Sequence, residues 1–80
     1  MKILIFDSIH HVLKAEKLLM ADNIKVDLIP VPKEVHSNCG MAISLDDSSL
    51  SKCENILKSN NINFKIFTFN EELNFYMEEA

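Results

Sequence analysis

The residues best suited to chemistry lie close together in one short segment. Residues 30–40 contain both prolines, the only glycine (Gly40) and one of the two cysteines (Cys39). Glycine tolerates positive φ and proline fixes φ, so this segment can hold a thiol in a defined loop. We predict that Cys39 is a reactive thiol; the alternative is a small buried residue at the start of a strand.

The chain has three histidines that could assist this thiol. His10 and His11 are adjacent, so on a helix their side chains point about 100° apart and only one can face Cys39. That histidine would act as an acid, a base or an electrostatic partner; otherwise both are solvated. His36 could complete a soft metal site with Cys39 and one of them. The spacing is too loose for this, and we predict no metal and no cofactor.

The second cysteine, Cys53, lies fourteen positions after Cys39, so the chain has no CxxC pair for zinc. A structural disulfide between the two is not expected in a reducing compartment. Cys53 also falls on an apolar helical stripe, where cysteine behaves as a small hydrophobe. We therefore predict a core position for it.

Hydrophobic patterning predicts the elements that position these residues. Apolar or alternating runs predict four strands, over residues 2–6, 24–29, 41–45 and 62–69. Helical spacing predicts one helix from about residue 9 to residue 22 and another between residue 50 and Asn60-Asn61. Ser8 can cap the first helix, and Asn23 can end it in the left-handed conformation.

The order strand, helix, Asn-Ile, strand occurs twice, with Asn23-Ile24 matched by Asn61-Ile62. Two consecutive βαβ units predict an α+β, ferredoxin-like βαββαβ sandwich. Its four-stranded antiparallel sheet would have the order 4-1-3-2, with both helices on one face. We expect residues 1–69 to form this domain. Residues 70–80 would be an acidic C-terminal extension, either a flexible tail or, as we favour, a short helix docked on the sheet.

This topology brings the end of strand 1 beside the start of strand 3. Cys39 would then lie near the first turn of the opening helix, whose free N–H groups and partial positive charge favour a thiolate. Lys33 would add positive charge. We therefore assign Cys39, Gly40, His10 and His11 to the reacting site, and Lys33, His36 and Ser8 to binding.

Composition narrows the class of protein. The 80 residues carry a net charge of −4, which argues against a nucleic-acid partner. We find no apolar run long enough for a signal peptide or a membrane span, so we expect a cytoplasmic protein. The sequence contains no Gly-rich phosphate loop, no G-x-S-x-G motif and no defined pair of carboxylates, so a turnover enzyme is not expected.

The segment PVPKEVHSNCG at residues 30–40, with His10-His11 upstream at the start of a helix, resembles a small bacterial family of selenium/sulfur carrier-like proteins. The resemblance covers nearly the whole chain, through Phe67, and is most specific in Pro-Val-Pro-(Lys or Arg)-Glu followed by Ser-x-Cys-Gly. It implies that Cys39 carries sulfur or selenium as a persulfide or perselenide. Its partners would be a donor protein and an acceptor protein.

The chain departs from the usual pattern of this family at two positions. Lys33 stands where arginine is frequent, and His36 where a small residue is common. Lysine offers a point charge, whereas arginine offers a planar fork to a carboxylate or phosphate.

Two other classes of protein remain open at this point. Ferredoxin-like domains also serve as non-catalytic regulatory or small-ligand-binding modules, and the fold alone does not decide between these functions. In that case the open sheet face could pair with a second copy in a homodimer. The third class is a metal chaperone, and the absence of a CxxC in the first loop argues against it.

Overall fold

The computed structural model describes residues 2–79 and shows an antiparallel sheet with two helices packed against one face. The elements are β1 (Lys2–Phe6), α1 (Ile9–Ala21), β2 (Asp27–Pro30), β3 (Met41–Leu45), α2 (Leu50–Ser59), β4 (Phe64–Asn70) and β5 (Phe75–Glu78). A single 3-10 turn, Asp47–Ser49, precedes α2. Neither helix within residues 2–79 is long and apolar enough to cross a membrane.

Five strands form one sheet in the order β2-β3-β1-β4-β5. The central strand, β1, pairs antiparallel with β3 on one side and with β4 on the other. The outer pairs, β2 with β3 and β4 with β5, are antiparallel too. The predicted α+β class, with two helices and an antiparallel sheet, is confirmed. The predicted number of four strands is wrong, because β5 extends the sheet beyond β4.

The C-terminal residues that we expected to form a helix form this fifth strand instead. A turn follows β4, and Asn74 adopts φ 57° in it, which asparagine tolerates better than most residues. The chain then returns along the free edge of β4, with Phe75 opposite Asn70. The rings of Phe69 and Tyr76 meet edge-on with centroids 5.2 Å apart. Aromatic residues of this kind pack well on a pleated surface, and here that packing outweighs helical spacing.

Both helices end in the same way, as the internal repeat suggests. Asn23 and Asn61 follow the two helices with φ of 61° and 57°. Their N–H groups, and those of the next isoleucines, donate to carbonyls of the last helical turn: Asn23 to Met20, Ile24 to Leu19, Asn61 to Lys58 and Ile62 to Leu57. This is the Schellman arrangement. The predicted left-handed stop at Asn23 is confirmed.

The second strand begins later than its alternation indicates. Ile24 is buried and donates its N–H to the carbonyl of Leu19, so it belongs to the helix end and the strand begins at Asp27. Pro30, just beyond the predicted strand 24–29, is the last residue of β2 and pairs with Met41. Proline is tolerated there because β2 is an edge strand.

The two faces of the sheet are covered to different extents. On the helix side, buried residues from the strands pack against both helices, among them Leu4, Phe6, Val12, Leu19, Ile43 and Leu57. On the other side Ile3, Ile5 and Ala42 are buried together with Val35, which comes from the connection between β2 and β3. Ile29, Phe67 and Tyr76 on that side are only partly buried, and the homodimer stays a prediction.

Candidate functional site

The connection between β2 and β3, residues 31–40, is called the Cys39 loop below. The pairing of β1 with β3 places Leu4 opposite Ile43, so the end of β1 lies beside the start of β3 and next to this loop, as predicted. The N–H of Val31 donates to the carbonyl of Gly40 over 3.1 Å, and this hydrogen bond joins the first and last residues of the loop. The N–H of Val35 donates to the carbonyl of Pro32 over 3.0 Å and forms a turn within it.

Gly40 turns the chain from the loop into β3. Its φ is +74°, and a Cβ added there would have no heavy atom within 4 Å. Glycine is thus required by the backbone conformation and not by lack of space. An L side chain in this conformation costs about 1–2 kcal/mol.

The Cys39 thiol is partly buried, and its side chain packs at the rim of the helix-side core. Its Sγ donates to the carbonyl of Met41 over 2.9 Å and lies 3.1 Å from Oγ of Ser37. Because a thiol has one proton, the contact with Met41 leaves the Ser37 hydroxyl as the donor to sulfur. The Ser37 oxygen in turn accepts the N–H of Cys39 over 3.2 Å.

Sequence reasoning missed this role of Ser37. A serine that accepts the N–H of the residue two positions later is a recurrent local motif, so the Ser-x-Cys spacing contained the signal. The sulfur is consequently held between a hydroxyl donor and a carbonyl acceptor.

The first turn of α1 has the predicted cap. Oγ of Ser8 accepts the N–H of His11 over 3.3 Å, so this hydroxyl serves the helix. The side chains of His10 and His11 are exposed, and within residues 2–79 neither makes a hydrogen bond or an ion pair. Their assistance to Cys39 stays a prediction.

The structure brings no metal-binding group together in the part of the chain that it describes. No set of three His, Cys, Asp or Glu side chains among residues 2–79 is close enough to share an ion. His36 and Cys39 therefore do not meet His10 or His11 in the arrangement considered from the sequence.

Beside the Cys39 loop lies an open depression of about 350 Å³. Its polar lining comes from three places in the chain: Asp7 after β1, His36, Ser37 and Asn38 in the loop, and Asn63 and Lys65 at the start of β4. Its apolar lining consists of Ile5, Phe6 and Phe64. The predicted binding residue His36 thus lines this depression, whereas Lys33 is exposed in the turn of the loop and does not line it. The topology expected from the sequence already placed Asp7 at this edge, whereas Lys65 was not anticipated, because only the pairing of β1 with β4 brings it here.

The loop is fastened across the sheet by Glu34 and Val35. Oε2 of Glu34 accepts the N–H of Tyr76 in β5 over 3.0 Å, and this hydrogen bond lowers the pKa of Glu34. Val35 is only 6% exposed and packs against the sheet face. From the sequence, Glu34 is expected to form an exposed pair with Lys33 in the loop; its contact with Tyr76 was not anticipated, since this partner lies 42 residues further along the chain.

Cys53 differs from Cys39 in its burial. It is completely buried in α2 within the helix-side core, as predicted. Burial raises the pKa of the Cys53 thiol, and the neighbouring carboxylate of Glu54 raises it further. Both effects disfavour the nucleophilic thiolate.

The fold and the site define a small α+β domain that holds one partly buried, hydrogen-bonded thiol on a loop at the end of its sheet. The chain belongs to the family described as "Putative Se/S carrier protein-like", whose family model matches residues 2–68. The match includes the whole Cys39 loop and ends within β4, before β5. Searches of curated proteins and of solved structures found no match.

Proposed function

We propose that the protein carries sulfur or selenium from a donor protein to an acceptor protein as a persulfide or perselenide on Cys39. One observation supports this most directly. In a chain of the Se/S carrier family, the Cys39 sulfur is partly buried and lies between the Ser37 hydroxyl and the Met41 carbonyl. The other thiol is sealed in the core.

The transfer is a thiol exchange that needs no external oxidant or reductant. The Cys39 thiolate attacks the terminal sulfur of a donor persulfide, and a new S–S bond forms while the S–S bond of the donor breaks. The inner sulfur of the donor leaves as a thiolate and takes up a proton equivalent to the one that Cys39 lost. Release to an acceptor thiol repeats the same exchange, and selenium in the terminal position follows the same balance.

The surroundings of Cys39 suit a carried atom. Partial burial limits attack by other thiols, while the loop position leaves the sulfur within reach of a partner protein. The Ser37 hydroxyl can donate to sulfur in the thiol, the thiolate or the loaded form, because it needs only a lone pair on sulfur. In this proposal the ferredoxin-like core, residues 1–69, serves as a rigid support for the loop in the cytoplasm.

The test is loading of the full chain by a protein persulfide donor, followed by mass spectrometry of the cysteine-containing peptides. Wild type and Cys53→Ala should gain one sulfur atom on Cys39, and Cys39→Ser should gain none. Circular dichroism checks that all three proteins are folded. Equal loading of Cys39→Ser, or loading on Cys53, contradicts the proposal.

A small-ligand-binding module is the second candidate, and the depression beside the loop is the observation that favours it. In such a module Cys39 would have no covalent role. Cys39→Ser would then keep its ligand affinity, whereas a carrier would lose all transfer with the fold intact.

A further inference from the structure

We propose that the depression beside the Cys39 loop binds a small persulfide donor that carries an α-amino acid group. Cysteine persulfide and the persulfide of a short cysteine-containing peptide with a free γ-linked amino acid end are the two sources of this chemistry. The inference rests on the proposed function of Cys39 and adds a substrate class to it.

The first argument is the charge of the lining. The depression is lined by one acidic residue, Asp7 just after β1, and one basic residue, Lys65 in β4. Within residues 2–79 neither forms an ion pair or a side-chain hydrogen bond, with the other or with any third residue. An α-amino acid group has the complementary pair of charges, an ammonium for Asp7 and a carboxylate for Lys65. The amides of Asn38 and Asn63 and the imidazole of His36 can supply further donors and acceptors.

A second depression is less suitable for such a ligand. It is larger, about 500 Å³, and lies between α2, β4 and the C-terminal residues. Several of its charges are already paired, Lys58 with Glu54 at 3.7 Å and Glu79 with Lys2 at 2.6 Å. It shares Lys65 with the first depression, but no residue of the Cys39 loop lines it. A charged ligand there would have to compete with existing ion pairs and would not lie beside the thiol.

The other argument is the position of the depression relative to the reacting sulfur. Ser37 lines the depression, and its Oγ is 3.1 Å from Sγ of Cys39. Cys39 does not itself line the depression, but its neighbours Ser37 and Asn38 do. Small-molecule sites usually measure about 300–1,000 Å³, so the depression suits a ligand at the small end of that range. An amino acid or a short peptide fits this description better than a nucleotide.

The reaction balances as it does for a protein donor. The Cys39 thiolate attacks the terminal sulfur of the bound persulfide, and the S–S bond of the donor breaks. The inner sulfur of the donor leaves as a thiolate and takes up a proton equivalent to the one that Cys39 lost. The product is Cys39 persulfide and a free thiol, with no change in the total number of S–S bonds.

The experiment measures the initial rate of Cys39 persulfidation in the full chain against the concentration of cysteine persulfide, with glutathione persulfide as the second source. We expect saturation with wild type. Asp7→Asn and Lys65→Gln should each raise the half-saturating concentration about two- to fivefold, as loss of one exposed charge contact would. The matched controls Glu72→Gln and Lys17→Gln lie outside the depression and should behave as wild type. Alkylation by iodoacetamide, which carries no charge, should be the same in all five proteins.

Three results would overturn the inference. One is a rate that rises linearly without saturation, and another is equal behaviour of the depression variants and the controls. The third is an equal effect of the variants on loading by inorganic disulfane, which has no amino acid group. In each case loading by a protein donor still tests the proposed function separately, and only failure of both kinds of donor removes the carrier function as well.

Discussion

At the scale of single residues, the Cys39 sulfur has two hydrogen bonds that respond differently to loading. The Met41 carbonyl can accept only from the protonated thiol, so this contact is lost when Sγ is ionised or bonded to a second sulfur. The Ser37 hydroxyl can remain on sulfur throughout, because it donates. Ser37 is therefore the residue that we expect to position and stabilise the reacting sulfur.

Ser37→Ala should slow alkylation of Cys39 by iodoacetamide about two- to tenfold at fixed pH, since one hydrogen bond is worth about 0.5–1.5 kcal/mol. Ser37→Thr keeps the hydroxyl and should restore most of the rate. Ser51→Ala, at an exposed position on α2, is the matched control. If Ser37→Ala and Ser51→Ala react at the same rate, the hydroxyl has no influence on the sulfur.

The sequence was informative about residues whose role depends on near neighbours. Gly40 and Asn23 were predicted from conformational preference alone, and both have positive φ. Ser37 could have been found by its spacing from Cys39. Lys65 could not, because it joins the site only through the pairing of β1 with β4.

At the scale of elements, β5 and the Cys39 loop are fastened to each other. Glu34 of the loop accepts the Tyr76 N–H, and Glu79 just after β5 accepts from Lys2 Nζ at 2.6 Å and from Thr68 Oγ1 at 2.7 Å. Two carboxylates thus hold the last strand, one at the loop and one at the sheet.

These contacts make the attachment of β5 dependent on pH. The pKa of Glu34 is lowered mainly by the backbone N–H of Tyr76, and that of Glu79 mainly by its hydrogen bond from Lys2. A lowered pKa in the folded state means that the stabilising contact is complete above the ordinary value of 4.5 and is lost as the pH falls through the lowered value. The Tyr76 amide hydrogen should therefore be less protected against exchange in acid, relative to the amides in the centre of β1.

Glu34→Ala should reduce the protection of the Tyr76 amide at neutral pH and remove part of its acid dependence. Glu71→Gln, in the turn before β5, is the matched control and should change neither. Unchanged protection in Glu34→Ala would show that the loop does not hold the strand.

The elements that repeat within the chain were predictable, and the one that does not repeat was missed. Both helices and the first four strands follow from periodicity and from the Asn-Ile stops. β5 forms because β4 has a free edge and Asn74 permits the turn, which is tertiary information. The start of β2 was misplaced for a similar reason, since Ile24 is engaged by the end of α1.

At the scale of the whole molecule, the two faces of the sheet carry hydrophobic clusters of different size. The helix-side core is the larger, with Leu57 completely buried, and the smaller cluster holds the Cys39 loop down through Val35. Stability and site geometry are therefore connected through the smaller cluster.

Val35→Ala should lower the free energy of unfolding by about 1–2 kcal/mol, because it removes two buried methyl groups worth about 0.8 kcal/mol each. Leu57→Ala should cost more, about 2–5 kcal/mol, since it leaves a cavity in the larger core. Leu13→Ala is the control, because Leu13 is 44% exposed. Urea unfolding measures all three, and a Val35→Ala protein as stable as Leu13→Ala would mean that the loop does not rest on the sheet.

The most direct test of the carrier account is the mass of the Cys39 peptide from protein purified without reductant. We predict an added mass of one sulfur or one selenium atom on Cys39 in a fraction of the molecules, removed by a reducing agent, with Cys53 unmodified. A Cys39 peptide that never carries such an atom, even after incubation with protein and small-molecule persulfide donors, would contradict the account.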